Sequence, residues 1–429
     1  MPRRLSRRTL VASAATLALA GCTAPWSDAD DGKTVLTFWY WNRSVEDDLF
    51  REFERQHPEI RVKNQKIGGD YNSKVRTTLA GKAFIPDVIA LNVDIATYFP
   101  AADQFVDLYD FGAHEIEADY LPWKWKLGQT PDGRQMGVPT DIGPTALYYR
   151  ADLFAAAGLP SEPDQVAQAI RTWDDYVQAG EAMKAKTPGV FMIDNITRAF
   201  AQQIRQEPNL YVTREGRYVG DSQELRAAWD LACRMIPAGI SAEVQSSTTD
   251  RNAALSNGTV ASFVGAAWER QILMDAAPDT SGMWRVAPAP NRPGNDGGSF
   301  LTIPKAAKHP EEAFALISFL QSPENSLRQQ VNMQLFPSTP WAYEQPEFQQ
   351  QDAFFGGQVT NTIFAQAAKN VPDIYYSPAD NIIGPPLTDN LLEVAVSGKN
   401  PDDAWNDAQK RIRREMAHKM PDIDMGGDS

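Results

Sequence analysis

The sequence predicts an α/β fold, with mostly parallel sheets flanked by helices, and two observations carry that expectation. Short β-branched and aromatic runs alternate with helical patterns of 10 to 15 residues, the signature of βαβ units. Apolar residues make up 43% of the 429 positions and charged residues 22%, enough to build a large core and too apolar for a disordered chain. Residues 35–41 (VLTFWYW) fit a buried strand. Ser44 and Asp47 have the spacing of a capping box for the helix EDDLFREFERQ, whose Leu49, Phe50 and Phe53 make one apolar face. A second strand follows at 60–67, a second helix at 71–84 and a short strand at 86–91 (PDVIAL). In open parallel sheets, ligands lie beyond the carboxyl ends of the strands, which is where Trp41, Asn42, Arg43, Asn92 and Asp94 fall. Residues 138–149 (VPTDIGPTALYY) read as extended chain punctuated by Pro and Gly. Thr172 with Asp175, and Asp221 with Glu224, are set to cap helices, and 214–217 to turn a hairpin. Pro310 and Pro323 suit first helical turns. The last helix takes Asn400 as cap and presents Trp405, Ala408, Ile412 and Met416 on one face.

Residues 1–21 read as an export signal: a basic head (Arg3, Arg4, Arg7, Arg8), an apolar stretch at 10–20, then small residues before Cys22. As a helix that stretch spans about 16 Å, too short for a hydrocarbon core of about 30 Å. Leu19-Ala20-Gly21-Cys22 resembles the lipobox of bacterial lipoproteins, which implies a diacylglyceryl group on Cys22 and an anchor on the outer face of the cell membrane. Ser6-Arg7-Arg8-Thr9-Leu10 is similar to a twin-arginine signal, so both Sec and Tat export stay open. Residues 22–33 form a polar tether. Losing the four arginines before Cys22 takes the formal charge from −14 to −18, which argues against nucleic acid as a partner. Two cysteines exclude a disulfide scaffold; Cys233, in helical register with Leu225, Trp229 and Ile236, reads as a small core residue.

Chemistry-bearing motifs are missing: there is no nucleophile elbow, Walker loop, dinucleotide fingerprint or His-Glu-x-x-His. His57, His114, His309 and His418 have no partner at ligand spacing, so neither a metal nor a cofactor is expected. The Asp pairs at 47/48, 174/175 and 402/403 sit in first helical turns, where the macrodipole favours them. What remains is aromatic surface with neutral hydrogen-bonding groups, the chemistry that holds a pyranose by its C–H face and its hydroxyl rim. Trp268, at the end of the apolar run VASFVGAAW, is the favoured platform; Trp341, Tyr343, Tyr375 and Tyr376 lie in proline-flanked loops. Asp141, between Pro139 and Gly143-Pro144, fits a cap and a ligand contact equally.

The segments FWYWN, PDVIALN, GVPTDIGPTALYYRADLFAAAGLP, VASFVGAAW, GGSFLTIPKAAKHPEEAFALISFLQSPEN and GKNPDDAWNDAQKRI occur in one order. In that order the chain resembles the family 1 extracellular solute-binding proteins of bacterial ABC importers, the group of the maltodextrin-binding proteins. The resemblance implies a type II periplasmic-binding-protein fold of two lobes joined by a hinge crossed more than once. One lobe would comprise 34–140 and 300–345, the other 141–299 and 346–420, with 421–429 a disordered tail. It implies ligand contacts at Trp41, Asn42, Arg43, Asn92, Asp94, Asp141, Gly143, Trp268, Gly298, Ser299, Tyr375 and Asn381. It also implies a monomer without cofactor or metal that captures a sugar or oligosaccharide and delivers it to ABC permease subunits. Alternatives are a lipid-anchored glycoside hydrolase drawing a carboxylate pair from Asp70, Asp94, Asp141 and Glu269, an adhesin or chemosensory receptor of the same fold, and a binder of an anionic solute with Arg43 as charge partner.

Overall fold

The computed structural model describes residues 32–244 and 248–426; Cys22, the export signal and most of the tether lie outside them. Strands β1 (Thr34–Tyr40), β2 (Ile60–Lys66) and β3 (Val88–Leu91) form a parallel set in which Thr34 opposes Ile60 and Phe38 opposes Val88. The strand β8 (Phe300–Thr302) lies antiparallel beside β3, and β4 (Val138–Pro139) antiparallel beside β8, so the first sheet is ordered β2-β1-β3-β8-β4. The second sheet places β5 (Thr145–Arg150) between β6 (Ser262–Ala266) and β7 (Trp284–Pro288).

This differs from the mostly parallel sheets expected: β5 is antiparallel to both of its neighbours, and β8 to both of its own. The cause is topological. β6 and β7 run the same way and are joined through the helix Glu269–Ala276, but the strand arriving from the first sheet wedges between them. β8, returning from the second sheet, does the same between β3 and β4. Helical periodicity reveals the alternation of elements; it carries no information about the direction of an inserted strand.

Local signals also shift by a residue or two. Glu46, not Ser44, precedes the helix Asp47–Gln56; the Ser44 hydroxyl donates to the Trp41 carbonyl, and Asp47 accepts from Lys66 Nζ at 3.0 Å. Thr172 and Asp175 form both halves of a capping box. Ser222 caps the helix Gln223–Ala238, leaving Asp221 to pair with Arg413 at 2.7 Å. Residues 421–424, expected in a free tail, return to the hairpin: Tyr218 N donates to Asp424 O at 2.8 Å and Asp424 N to Gly216 O at 2.9 Å.

The apolar core is continuous across the two sheets. Ile89, Leu91 and Phe300 belong to one buried cluster with Ala146, Tyr148, Phe263 and Trp284, and Phe336, Tyr343, Phe348 and Phe364 extend it where the chain crosses a third time. Among the described residues no helix is long and apolar enough to cross a membrane.

Candidate functional site

The passages between the sheets are knotted side by side. Gly143 N donates to Asn295 Oδ1 (2.9 Å), Asp296 N to Gly143 O (2.8 Å), Thr140 N to Ser299 O (3.0 Å) and Ser299 N to Asp141 Oδ1 (2.8 Å). The third passage joins through Ile142 N and Phe336 O at 2.9 Å. Asp141, Gly143, Gly298 and Ser299 are therefore brought together, and their polar groups go to the passages themselves: Asp141 and Ser299, both buried, bond to each other, Gly143 bonds to Asn295 and Asp296, and Asp141 Oδ1 also accepts from Thr140 Oγ1. For Asp141 the clasp between passages is the role seen in its bonds, not a helix cap. The glycines have steric reasons: a Cβ on Gly143 would lie 1.9 Å from Asp296 O, and Gly298 sits at φ 90° with its Cβ position 2.5 Å from Asp141 O. Gly143→Ala is expected to prise the first two passages apart and cost about 1–3 kcal/mol, read as a lower denaturation midpoint; an unchanged midpoint would mean the knot yields freely.

One wall rises from the carboxyl ends of β1 and β3. Trp41 is partly buried and packs edge-on against Tyr71, centroids 5.2 Å apart, while Tyr71 OH donates to Trp39 O and Ala90 O at 2.9 Å each. Trp39 and Tyr40 are core residues. Asn42 and Asn92 are exposed, and Asn92 Oδ1 accepts from Val93 N at 2.7 Å. Asp94 faces Arg76 at 3.7 Å.

The opposite wall starts at Trp268, where β6 gives way to the helix Glu269–Ala276. The indole Nε1 donates to Asp296 O at 2.7 Å, and the missing side chains of Gly143 and Gly297 leave room for that edge, with their Cβ positions 3.1 and 2.9 Å from Nε1. The ring is only partly buried. Behind it, Glu269 is bound to Arg198 (3.0 Å) and Arg251 (3.3 Å), which both reach Asp194 (2.8 and 2.7 Å), a buried tetrad of two cations and two anions. Arg270, also buried, donates to Thr360 Oγ1 at 2.9 Å and Asn361 Oδ1 at 2.6 Å. Charges so enclosed hold their shape, because moving one leaves another unpaired in a low dielectric.

The two walls touch at their rims. Arg43, held at φ 60°, reaches Asp275 on the Trp268 helix at 3.2 Å, and Asn381 Nδ2 reaches Asp94 Oδ2 at 3.4 Å. Tyr375 is partly buried with the Arg214 guanidinium 4.9 Å over its ring, so that face is already covered. Its neighbour Tyr376 turns to the knot instead, donating to Asn295 O at 3.2 Å, and burial pushes its hydroxyl up to about 12. Sequence reasoning also missed Gln202 and Arg205, which hold the Asp296 carboxylate at 2.8 and 3.2 Å beside Trp268. No motif marks them; their one signal is a Gln and an Arg three positions apart where an amphipathic helix, Ile196–Ile204, ends.

This arrangement offers aromatic faces and fixed hydrogen-bonding groups. The carboxylates weighed for hydrolysis are engaged: Asp70 caps the helix Tyr71–Gly81, where bonds from Ser73 hold it below the usual range; Asp94 faces Arg76 and Asn381; Asp141 clasps Ser299; and Glu269 is locked in the tetrad. Burial pushes the Cys233 thiol up to about 12, the opposite of what a nucleophile needs. Among the described residues no group of three or more His, Cys, Asp and Glu is placed to hold a metal. A cavity of ≈ 220 Å³ lined by Phe154, Leu159, Val166 and Ile170 lies away from both walls.

Residues 48–356 match the model of a family described as bacterial extracellular solute-binding protein. The chain belongs to that family. An arabinooligosaccharide-binding protein of Bacillus subtilis (strain 168) is 24% identical over 76% of this chain and 78% of its own length. A lactose-binding protein of Rhizobium radiobacter is 24% identical over 90% and 93%. Among solved structures, a family 1 extracellular solute-binding protein superposes with a TM-score of 0.85 at 32% identity, covering 89% of this chain and 99% of that one. The family's type II periplasmic fold is thus the fold of this chain, with its α/β sheets flanked by helices. Its relatives are binding proteins.

Proposed function

We propose that the chain is the lipid-anchored, extracytoplasmic binding component of an ABC importer, and that it captures a sugar or oligosaccharide by closing a hinge. The lobes are 34–140 with 300–345 and 141–299 with 346–420, the three knotted passages are the hinge, and the ligand lies between the Trp41 and Trp268 walls. The observation that carries the reading is Trp268: its edge is pinned to the hinge through Asp296, its ring keeps exposed surface, and its helix extends Asp275 to Arg43 of the other wall. A pyranose stacked on that ring would find Asn42, Asn92, Asp94 and Asn381 around it as hydrogen-bonding groups. A solute touching both walls binds the shut form better and shifts the population toward it. Micromolar affinity needs about −8 kcal/mol, within reach of a stacked ring and several hydrogen bonds.

The permease subunits would then read the shut shape of a monomer tethered through Cys22. Relatives named for arabinooligosaccharide and lactose binding favour a carbohydrate. A neutral one is favoured over an anionic solute, because Arg43 and Arg205 already face carboxylates. A thermal-shift screen over arabinooligosaccharides, galactosides, maltodextrins and uronides tests this. A ligand at a hundred times its Kd is expected to stabilise the native state by about 2.7 kcal/mol, raising the melting point. If no saccharide moved it, the sugar reading would be abandoned.

A further inference from the structure

Lys124 stands on the helix Pro122–Leu127, yet it is wholly buried and its ammonium nitrogen has no hydrogen-bond partner. Nζ lies 3.7 Å from the centroid of the Phe300 ring and 2.8 Å from where a Gly298 side chain would begin, a point also 2.5 Å from Asp141 O and 3.1 Å from Ile142 Cα. It is thus packed against the first and second passages of the hinge at once. Asp141 is the charged group that faces it; Gly298, Ser299 and Phe300 bring none. Asp141 in turn spends Oδ1 on Ser299 N and Thr140 Oγ1. A lone buried amine that nothing binds is costly as an ammonium, so the enclosure favours its neutral form.

We propose that Lys124 couples the hinge to protonation: the shut arrangement, with its rims joined at Arg43–Asp275 and Asp94–Asn381, keeps the amine dry and neutral, and opening hydrates and charges it, so closure releases one proton. This rests on the reading of the passages as a hinge. The sign follows from the two states. Burial lowers Lys124 to about 7 in the shut form, with Asp141 acting in the opposite sense. In the open form it approaches the ordinary lysine value of about 10.4. Below about 7 both forms carry the proton and pH has no effect. Between the two values the open form alone holds it, so each unit of rising pH favours closure about tenfold.

The test needs no solute. In protein carrying ¹⁵N-labelled lysine side chains, the signal lost in K124M is expected to titrate between the shut value of about 7 and the open value of about 10.4, at a midpoint set by how the two forms share the population. Small-angle scattering of the unliganded protein is expected to show the ratio of compact to open form rising from pH 7 to 9, by up to about tenfold per unit, and staying at its high-pH level throughout in K124M. A Lys124 midpoint no lower than the open value of about 10.4, a wild-type compactness indifferent to pH, or an unchanged pH dependence in K124M would each overturn the proposal. If K124M does not fold, K124Q replaces it, and the wild-type scattering still decides. Because neither measurement contains a saccharide, failure here and failure of the sugar reading are separate results.

Discussion

Glu269→Ala is expected to lower the unfolding free energy by about 3–5 kcal/mol, measured by denaturant titration at neutral pH. Glu269 is almost wholly buried and accepts from Arg198 and Arg251, which are themselves buried and share Asp194 as their other anion. Burial works against the charge on Arg198, but Asp194 and then Glu269 outweigh it and hold the guanidinium protonated more firmly than in water. Without Glu269 two cations face one carboxylate in a dry site, and neither can neutralise at accessible pH. The cost is therefore the stranding of the partners more than the loss of one contact. Glu269→Gln keeps acceptor geometry without charge and should fall between the wild type and the alanine variant. Ile272→Ala, at an exposed position on the same helix, should stay within about 0.5 kcal/mol. A loss below about 1 kcal/mol for Glu269→Ala would mean that water already reaches the tetrad.

That tetrad also marks where sequence reasoning runs out. The run from β1 to β3 was readable because its signals are local: aromatic and β-branched strands, amphipathic helices, and strand ends that put Trp41, Arg43 and Asp94 on one wall. Glu269 was readable as a carboxylate, but only folding brings it to Arg198 and Arg251, 71 and 18 positions away. The family resemblance puts Gly143 and Gly298 at the crossovers as ligand contacts; why glycine is needed there depends on the oxygens of Asp296 and Asp141, which approach from other passages. Tyr375 and Tyr376 show the limit most sharply. Adjacent residues in extended chain face opposite sides, so one of the pair had to turn toward the knot. Which one does is settled by Asn295, and no pattern in the loop reveals it. The directions of β5 and β8 were unreadable for a related reason, since an inserted strand takes its orientation from where the chain has come from.

Trp268→Ala is expected to weaken saccharide binding by about 2 kcal/mol or more, roughly thirtyfold in Kd, measured by calorimetry with whichever sugar the melting screen selects. Two things are lost together: the stacking surface, which lowers affinity, and the donor to Asp296 O at the hinge, which lowers stability. Trp268→Phe separates them, because it keeps a ring and removes the N–H; a loss of about 0.5–1.5 kcal/mol of unfolding free energy is expected from the missing bond, with most of the affinity kept. The melting point guards against a trivial cause. Trp268 stands before the tetrad and not within it, so its removal should cost little more stability than that one hydrogen bond, about 0.5–1.5 kcal/mol, while affinity falls by more, the reverse of the Glu269→Ala pattern. The two substitutions are neighbours in sequence and diverge in effect because the Trp268 ring keeps exposed surface and the Glu269 carboxylate is buried. If Trp268→Ala changed Kd by less than about 0.5 kcal/mol, the ring would be packing only, and the ligand would have to be held by the Trp41 wall without it.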